Sequence, residues 1–175
     1  NALSGVLDFQ QKEGSRDKTN YQFALGASEA ALTFDGPIGD NTSYIFSMRR
    51  SYLQFLFSAI GLPFLPTFND YQFKVKIDID ERNQISVISI GALDQFAINT
   101  GIENPDESQE YILSQVPVNN QWSYVFGVVY KNFFDNGYQT FVLSRNMLNN
   151  VLYKYPDNDE SKEKSLDYDS QEAEN

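Results

Sequence analysis

The sequence predicts an all-β protein, an antiparallel up-and-down meander of about seven strands. Three observations carry that expectation. Long runs alternate apolar and polar residues, short polar turns join these runs into four hairpin-like units, and the connections run alternately short and long. The clearest run is Tyr71-Gln72-Phe73-Lys74-Val75-Lys76-Ile77-Asp78-Ile79-Asp80, with aromatic or β-branched residues at odd positions and polar or charged ones at even positions. A strand has a side-chain period of 2, so this run has one greasy face and one wet face.

The elements follow in order. Gly5-Val6-Leu7-Asp8-Phe9 reads as a short strand, and the polar stretch from Gln10 to Asn20 as a linker. Tyr21–Leu25 alternates, Gly26-Ala27-Ser28 allows a tight turn or a bulge, and Glu29–Phe34 alternates again. Asp35-Gly36-Pro37-Ile38-Gly39-Asp40-Asn41 is a turn signal. A long strand follows from about Thr42 to Phe57, whose apolar tail also suits a short helical turn, and Gly61–Thr67 reads as a greasy loop. After the Tyr71–Asp80 strand, Glu81-Arg82-Asn83 turns into a strand from Gln84 to about Ala97, where Ile88 and Ile90 blur the alternation. Asn99–Asn120 reads as a long loop. Trp122–Phe134 and Tyr138 to about Tyr155 are strands joined at Asp135-Asn136-Gly137, a strong two-residue hairpin signal. Residues 156–175 hold eight acids and two lysines and are expected to be mobile in isolation.

Composition narrows the function. Thirteen basic against 24 acidic side chains give a formal charge of −11, which argues against nucleic acid, because phosphates are held by Lys and Arg. The same balance argues against docking on anionic lipid heads. With no Cys and no His, there are no thiol nucleophiles, Ser-His-Asp triads, Cys/His zinc sites or disulfides. No phosphate-binding Gly loop, paired-carboxylate spacing or nucleophile motif appears, so no enzyme activity, cofactor or metal is expected. No apolar stretch approaches the roughly 18 residues of a membrane helix. The chain begins at Asn1 without a signal peptide or an initiator Met, and reads as processed or excised.

In an up-and-down sheet, alternate connections share an edge. One edge here therefore carries tight turns and the other long loops, as in outer-membrane barrels. Strands of roughly ten residues also match the thickness that a tilted β-strand must cross.

The opening Asn1-Ala2-Leu3-Ser4-Gly5-Val6-Leu7-Asp8-Phe9 resembles the end of the plug domain in TonB-dependent outer-membrane receptors. Leu32-Thr33-Phe34-Asp35-Gly36-Pro37-Ile38-Gly39 is similar to the first periplasmic turn of such barrels. Ser47-Met48-Arg49-Arg50-Ser51-Tyr52-Leu53, with Leu62-Pro63-Phe64 and Asp70-Tyr71, resembles the third and fourth strands of the receptors common in Bacteroidetes. The resemblance covers essentially the whole chain. It implies the end of a plug (1–14), a linker (15–20), the first strands of a 22-stranded transmembrane β-barrel (21–155), and an acidic extracellular loop segment (156–175).

For the intact protein the resemblance implies uptake of a nutrient, such as a metal chelate, vitamin, glycan or peptide. Energy would come through TonB, and the location would be the bacterial outer membrane. The TonB box and most of the plug are missing. The partners implied are the rest of the barrel and plug, TonB through the missing plug, outer-membrane lipid and an unidentified nutrient. A partial barrel leaves two unpaired strand edges, which predict self-association. The alternative from another class is a soluble, secreted or periplasmic β-sheet domain that binds a ligand or protein.

The candidate lumen or ligand contacts are Arg49, Tyr111 and Trp122. Adjacent strand residues face opposite ways, so with Tyr44, Phe46 and Met48 toward lipid, Arg49 points inward and Arg50 outward. Arg49 suits pairing with plug carboxylates or substrate, or an ordinary structural ion pair. Tyr111, beside Ile112 and Leu113, suits a ligand contact or an anchor for its loop. Trp122, Tyr124 and Tyr130 suit an interfacial aromatic belt or the core of a soluble sheet. Asp78, Asp80 and Glu81 could bind a cation but more plausibly are solvated or paired. Asp157-Asn158-Asp159-Glu160 opens like a calcium loop but has Lys162 where the sixth-position glycine belongs. If Tyr71, Phe73, Val75, Trp122, Tyr124 and Phe126 form one exposed band, the membrane reading gains; if a second layer covers them, the chain is a soluble sandwich.

Overall fold

Alternating sequence becomes one antiparallel sheet in the computed structural model, which describes residues 9–175. The Gly5–Phe9 strand and most of the plug end assigned to 1–14 lie outside the described residues. The elements are β1 (Asn20–Leu25), β2 (Glu29–Ile38), β3 (Thr42–Ser51), α1 (Leu53–Ala59), β4 (Phe64–Asp78), β5 (Asn83–Ile98), α2 (Glu107–Gln115), β6 (Val118–Phe134), β7 (Gly137–Lys154) and β8 (Leu166–Glu174). Each strand pairs only with its sequence neighbours, in the order β1 to β8, so the fold is an all-β meander with β1 and β8 as its edges. Every ladder keeps a single register from end to end, so no bulge exchanges the two faces.

The sheet is one layer deep. Among the described residues Ile45 is the only buried hydrophobic side chain, at 8% exposure. Among the described residues no second sheet packs on either face, and α1 rests chiefly against β4, where Phe57 meets Phe64 edge-on at 5.5 Å.

Four elements depart from expectation. β2 continues through Asp35-Gly36-Pro37-Ile38, and the turn contracts to Gly39–Asn41. β4 begins at Phe64 and takes in Pro66. β1 ends opposite Asp35 and β3 ends opposite Asn69, so both prolines sit where one side of their strand is open. A missing N–H breaks no ladder there. The tail of the expected Thr42–Phe57 strand is helix α1, in keeping with the helical-turn reading. The Asn99–Asn120 loop contains α2, which Asp106 caps by accepting from the Gln109 backbone N–H, while the Gln109 side chain accepts from the Asp106 N–H.

The largest correction is β8. Residues 166–174 of the expected acidic loop segment are a strand. Strand β7 supplies the template and the amides that receive the acids. Asn149 Nδ2 donates to Asp169 Oδ1 at 2.7 Å and to the Ser170 carbonyl at 3.1 Å, and the Glu174 N–H donates to Asn146 Oδ1 at 3.0 Å.

Candidate functional site

The unbroken registers sort the side chains into two faces. One is apolar. Across it run the rows Tyr21–Phe34–Phe46–Phe73 and Phe23–Leu32–Met48–Tyr71, each residue directly opposite the next. Rings meet across this face: Tyr21 on Phe34 edge-on at 5.7 Å and Phe34 on Phe46 at 6.3 Å in the first row, and Tyr130 on Phe141 at 6.2 Å in another. Gly91 faces Tyr71, whose ring lies over it; a Cβ there would come within 2.4 Å of the ring. The Tyr71 hydroxyl is 3.1 Å from Ser89 Oγ, so the ring lies flat in the band.

The apolar band has polar borders. On β6 it runs nine residues, Trp122 to Tyr130, between Asn120 and Asn132; on β5 it runs from Ile85 to Leu93, between Asn83 and Gln95. Nine residues span roughly 27 Å along a strand at about 3.4 Å per residue. Asn83, Asn132 and Gln139 lie in one row, linked side chain to side chain. Asn132 Nδ2 donates to Asn83 Oδ1 at 2.8 Å, Gln139 Nε2 donates to Asn132 Oδ1 at 3.4 Å, and the Tyr130 hydroxyl donates to Asn83 Oδ1 at 2.5 Å. On the opposite border Arg50 Nη1 donates to Asn69 Oδ1 at 3.1 Å. Exposure along the band is high: Leu143 is 75% and Phe126 is 44% exposed.

The other face is polar on β2 to β4, and the chain itself straps it. Residues 11–16 cross it at the edge of the tight turns. Lys74 Nζ donates to the Gln11 carbonyl at 3.1 Å, Lys76 pairs with Glu13 at 3.1 Å, Arg16 pairs with Asp78, and the Ser15 N–H donates to Asp35 Oδ2 at 3.0 Å. Gly14 permits this approach, because a Cβ there would lie 2.0 Å from the Tyr44 carbonyl oxygen. The even-numbered charges of β4, read from sequence as a merely wet face, are thus the seat of this strap. Just beyond, in the β4–β5 turn, side-chain donation from Asn83 and the Arg82 backbone N–H hold the Asp80 carboxyl below the ordinary carboxylate range.

Arg49 lies on the polar face. Its Nε donates to Asp70 Oδ2 at 2.8 Å and its Nη1 to Glu29 Oε2 at 3.2 Å, so it ties β3 to β2 and β4 in a structural ion pair. Trp122 does not share that face. Its register with Leu93 and Asn149 sets it on the apolar side at the border, stacked on Tyr124 at 6.2 Å. Trp122 therefore stands on the face opposite Arg49, since even positions on β6 carry the apolar side. Tyr111 stands on α2, 69% exposed, away from both. The three candidates form no common site. Asp157 pairs with Lys162 at 2.7 Å, and Asp159 accepts from the Ser161 hydroxyl. Among the described residues no group of three acidic, His or Cys side chains is placed to hold a metal ion.

Lys154 carries a role that its sequence context conceals. It is 8% exposed, and its Nζ donates to the Leu113 carbonyl at 2.5 Å, the Val116 carbonyl at 3.2 Å and Asn158 Oδ1 at 2.6 Å. Leu113 and Val116 close α2, so the cation sits at the negative end of that helix. Asn158, at φ 58°, turns its amide back onto the same Leu113 carbonyl. Lys154→Met keeps the stem and removes the three bonds, and is expected to free α2 while the sheet stays paired. Hydrogen exchange should show faster exchange at residues 107–116 and no change in β6. Unchanged exchange in α2 would mean that its contact with Gly61, through the Gln109 amide at 2.8 Å, suffices alone.

No family model, curated protein or solved structure matches this chain. No helix among the described residues is long and apolar enough to cross a membrane, a fact that leaves crossing by strands untouched.

Proposed function

We propose that this sheet is wall of an outer-membrane β-barrel, of the TonB-dependent receptor kind, and that the intact barrel imports a nutrient. The observation that carries the reading is the apolar band: uncovered, nine residues deep on β5 and β6, and edged on both sides by side-chain amides. A transmembrane strand needs about 9–11 residues, and outer-membrane barrels carry an outward apolar belt between polar margins. A water-facing sheet gains nothing from such a face, since exposed apolar area of this extent opposes solubility. The strap on the opposite face supports the same reading, because it gives the polar side a chain segment to hold, as a lumen wall holds the end of a plug. In this role Arg49 braces the wall, the tight turns face the periplasm, and α1 and α2 belong to the outer loops. TonB, the remaining strands and the rest of the plug are the partners the role requires, and the open edges of β1 and β8 are where further strands pair.

The test is the solution mass with and without detergent. The expected result is aggregates or oligomers in buffer that detergent resolves into one defined species. A stable monomer in buffer alone would overturn the membrane reading in favour of a soluble ligand-binding sheet.

A further inference from the structure

The polar face holds a second feature that neither the strap nor the Arg49 brace uses. Toward the long-loop edge, beyond the apolar band, lies a cleft of about 400 Å³. Its walls are Phe68, Phe96 and Pro117, and its polar groups are Asp94, Asn119 and Gln121. The register explains the grouping. Asp94, Gln121 and Asn150 are neighbours in one row, and Phe96, Asn119 and Leu152 in the next.

Three facts give the cleft a sign. Asp94 stands in no ion pair among the described residues, and the charge acting on it is that of Asp70, which is also negative. The cation beside Asp70, Arg49, is already shared between Asp70 and Glu29, and no lining residue of the cleft is cationic. The Oδ1 atoms of Asn119 and Asn150 are buried without a hydrogen-bond partner. A carboxylate and an amide oxygen therefore offer acceptors in the cleft, and no cation is there to match the carboxylate. A buried acceptor left unmade is unfavourable, and an uncompensated carboxylate more so. Two phenyl rings beside such a group favour a cation over a neutral donor.

We infer that this cleft is a binding site for a cationic nitrogen on a short apolar stem, a guanidinium or primary ammonium such as a basic peptide side chain presents. Asp94 pairs with the charge, the Asn119 carbonyl oxygen accepts one of its N–H groups, and Phe68 and Phe96 flank the stem. The cleft is on the polar face, so the inference stands whichever medium meets the apolar one, and its test is separate from the detergent experiment.

The test uses the full chain in whichever state is monodisperse, titrated calorimetrically with N-acetyl-arginine amide. The controls are N-acetyl-citrulline amide, which has the same shape without the charge, and maltose. The expected result is saturable binding of the arginine probe, at least about tenfold weaker for the citrulline probe and absent for maltose. Asp94→Asn should weaken the arginine probe by about tenfold or more, as loss of a charge-assisted bond predicts. That variant also removes the repulsion with Asp70, so weakened binding cannot be ascribed to a lost fold, and an unchanged far-ultraviolet spectrum checks this. Asn119→Leu should weaken the probe several-fold. No binding of the arginine probe, equal binding of the citrulline probe, binding of maltose alone, or an Asp94→Asn variant of unchanged affinity would each overturn the inference.

Discussion

Phe126→Arg is expected to abolish association with phosphatidylcholine vesicles, while Val125→Arg, one residue away, leaves it nearly intact. The two residues are similarly exposed, at 44% and 49%, so solvent access does not separate them. The face does. Phe126 lies midway along the Trp122–Tyr130 stretch, between Ser89 and Arg145 in the band, so a second arginine there would also stand beside a like charge, whereas Val125 lies opposite Ile90 on the other side of the sheet. A cation on the lipid face at the bilayer midplane costs about 2–4 kcal/mol, or about 30-fold to nearly 1,000-fold in a partition constant. Near the interface the penalty falls to about 0–1 kcal/mol, so Asn120→Arg, at the border, should behave like Val125→Arg. Flotation of the protein with vesicles in a density gradient reads all three. Equal losses at positions 125 and 126 would show that neither face is special and would remove the main support for a membrane wall.

Gly14→Val is expected to lift the strap from the sheet and leave the eight strands paired. The added Cβ would meet the carbonyl oxygen, carbon and nitrogen of Tyr44 at 2.0, 2.5 and 2.8 Å, all of them backbone atoms of a strand paired on both sides, so the strap must move. Moving it breaks the Glu13–Lys76 and Arg16–Asp78 pairs and the Ser15–Asp35 bond together. Single charge removals should do much less, because half-exposed ion pairs contribute only about 0–1 kcal/mol each. Lys76→Gln is therefore a mild variant and Gly14→Val a severe one. Gly26→Ala is the control: its Cβ would have 3.5 Å to the nearest atom, and little should change. Hydrogen exchange at residues 11–16 provides the readout, with near-complete loss of protection expected in Gly14→Val and ladder protection retained in β3 and β4. Protection that survives the valine would mean the strap is held by its charges and not by close backbone approach.

The two regions differ in how far sequence discloses them. Along β4 the alternation of Tyr71, Phe73, Val75 and Ile77 with Gln72, Lys74, Lys76 and Asp78 names both faces before any pairing is known, because period 2 is a property of the single strand. Strand β8 shows the opposite case. Leu166-Asp167-Tyr168-Asp169-Ser170-Gln171-Glu172 is polar on both sides, so no periodicity marks it, and it becomes a strand through the edge and amides of β7. The capping residues of α2, Asp106 and Gln109, were present in the sequence at the spacing of a capping box, a local signal hidden inside an acidic loop. Arg49 was legible as lying on the face opposite Phe46 and Met48, yet its partners Glu29 and Asp70 are 20 and 21 residues away and belong to two different strands. Trp122 was legible as apolar-face by its alternation with Ser123, and its border position emerged only once Asn120 and Gln95 were seen to share a row.

By itself the sequence determined the class of fold, the two faces of each strand, the alternation of tight turns and long loops, and the absence of thiol, imidazole and basic-patch chemistry. Those follow from local period, turn residues and composition, none of which needs a distant partner. Tertiary structure alone decided that the greasy strips of successive strands align into one band with amide borders, that Gly14 passes over Tyr44, that Lys154 reaches the end of α2, and that Asp94 is left without a cation. Each of these depends on register between strands, and a shift of one residue would have moved every one of those side chains to the opposite face.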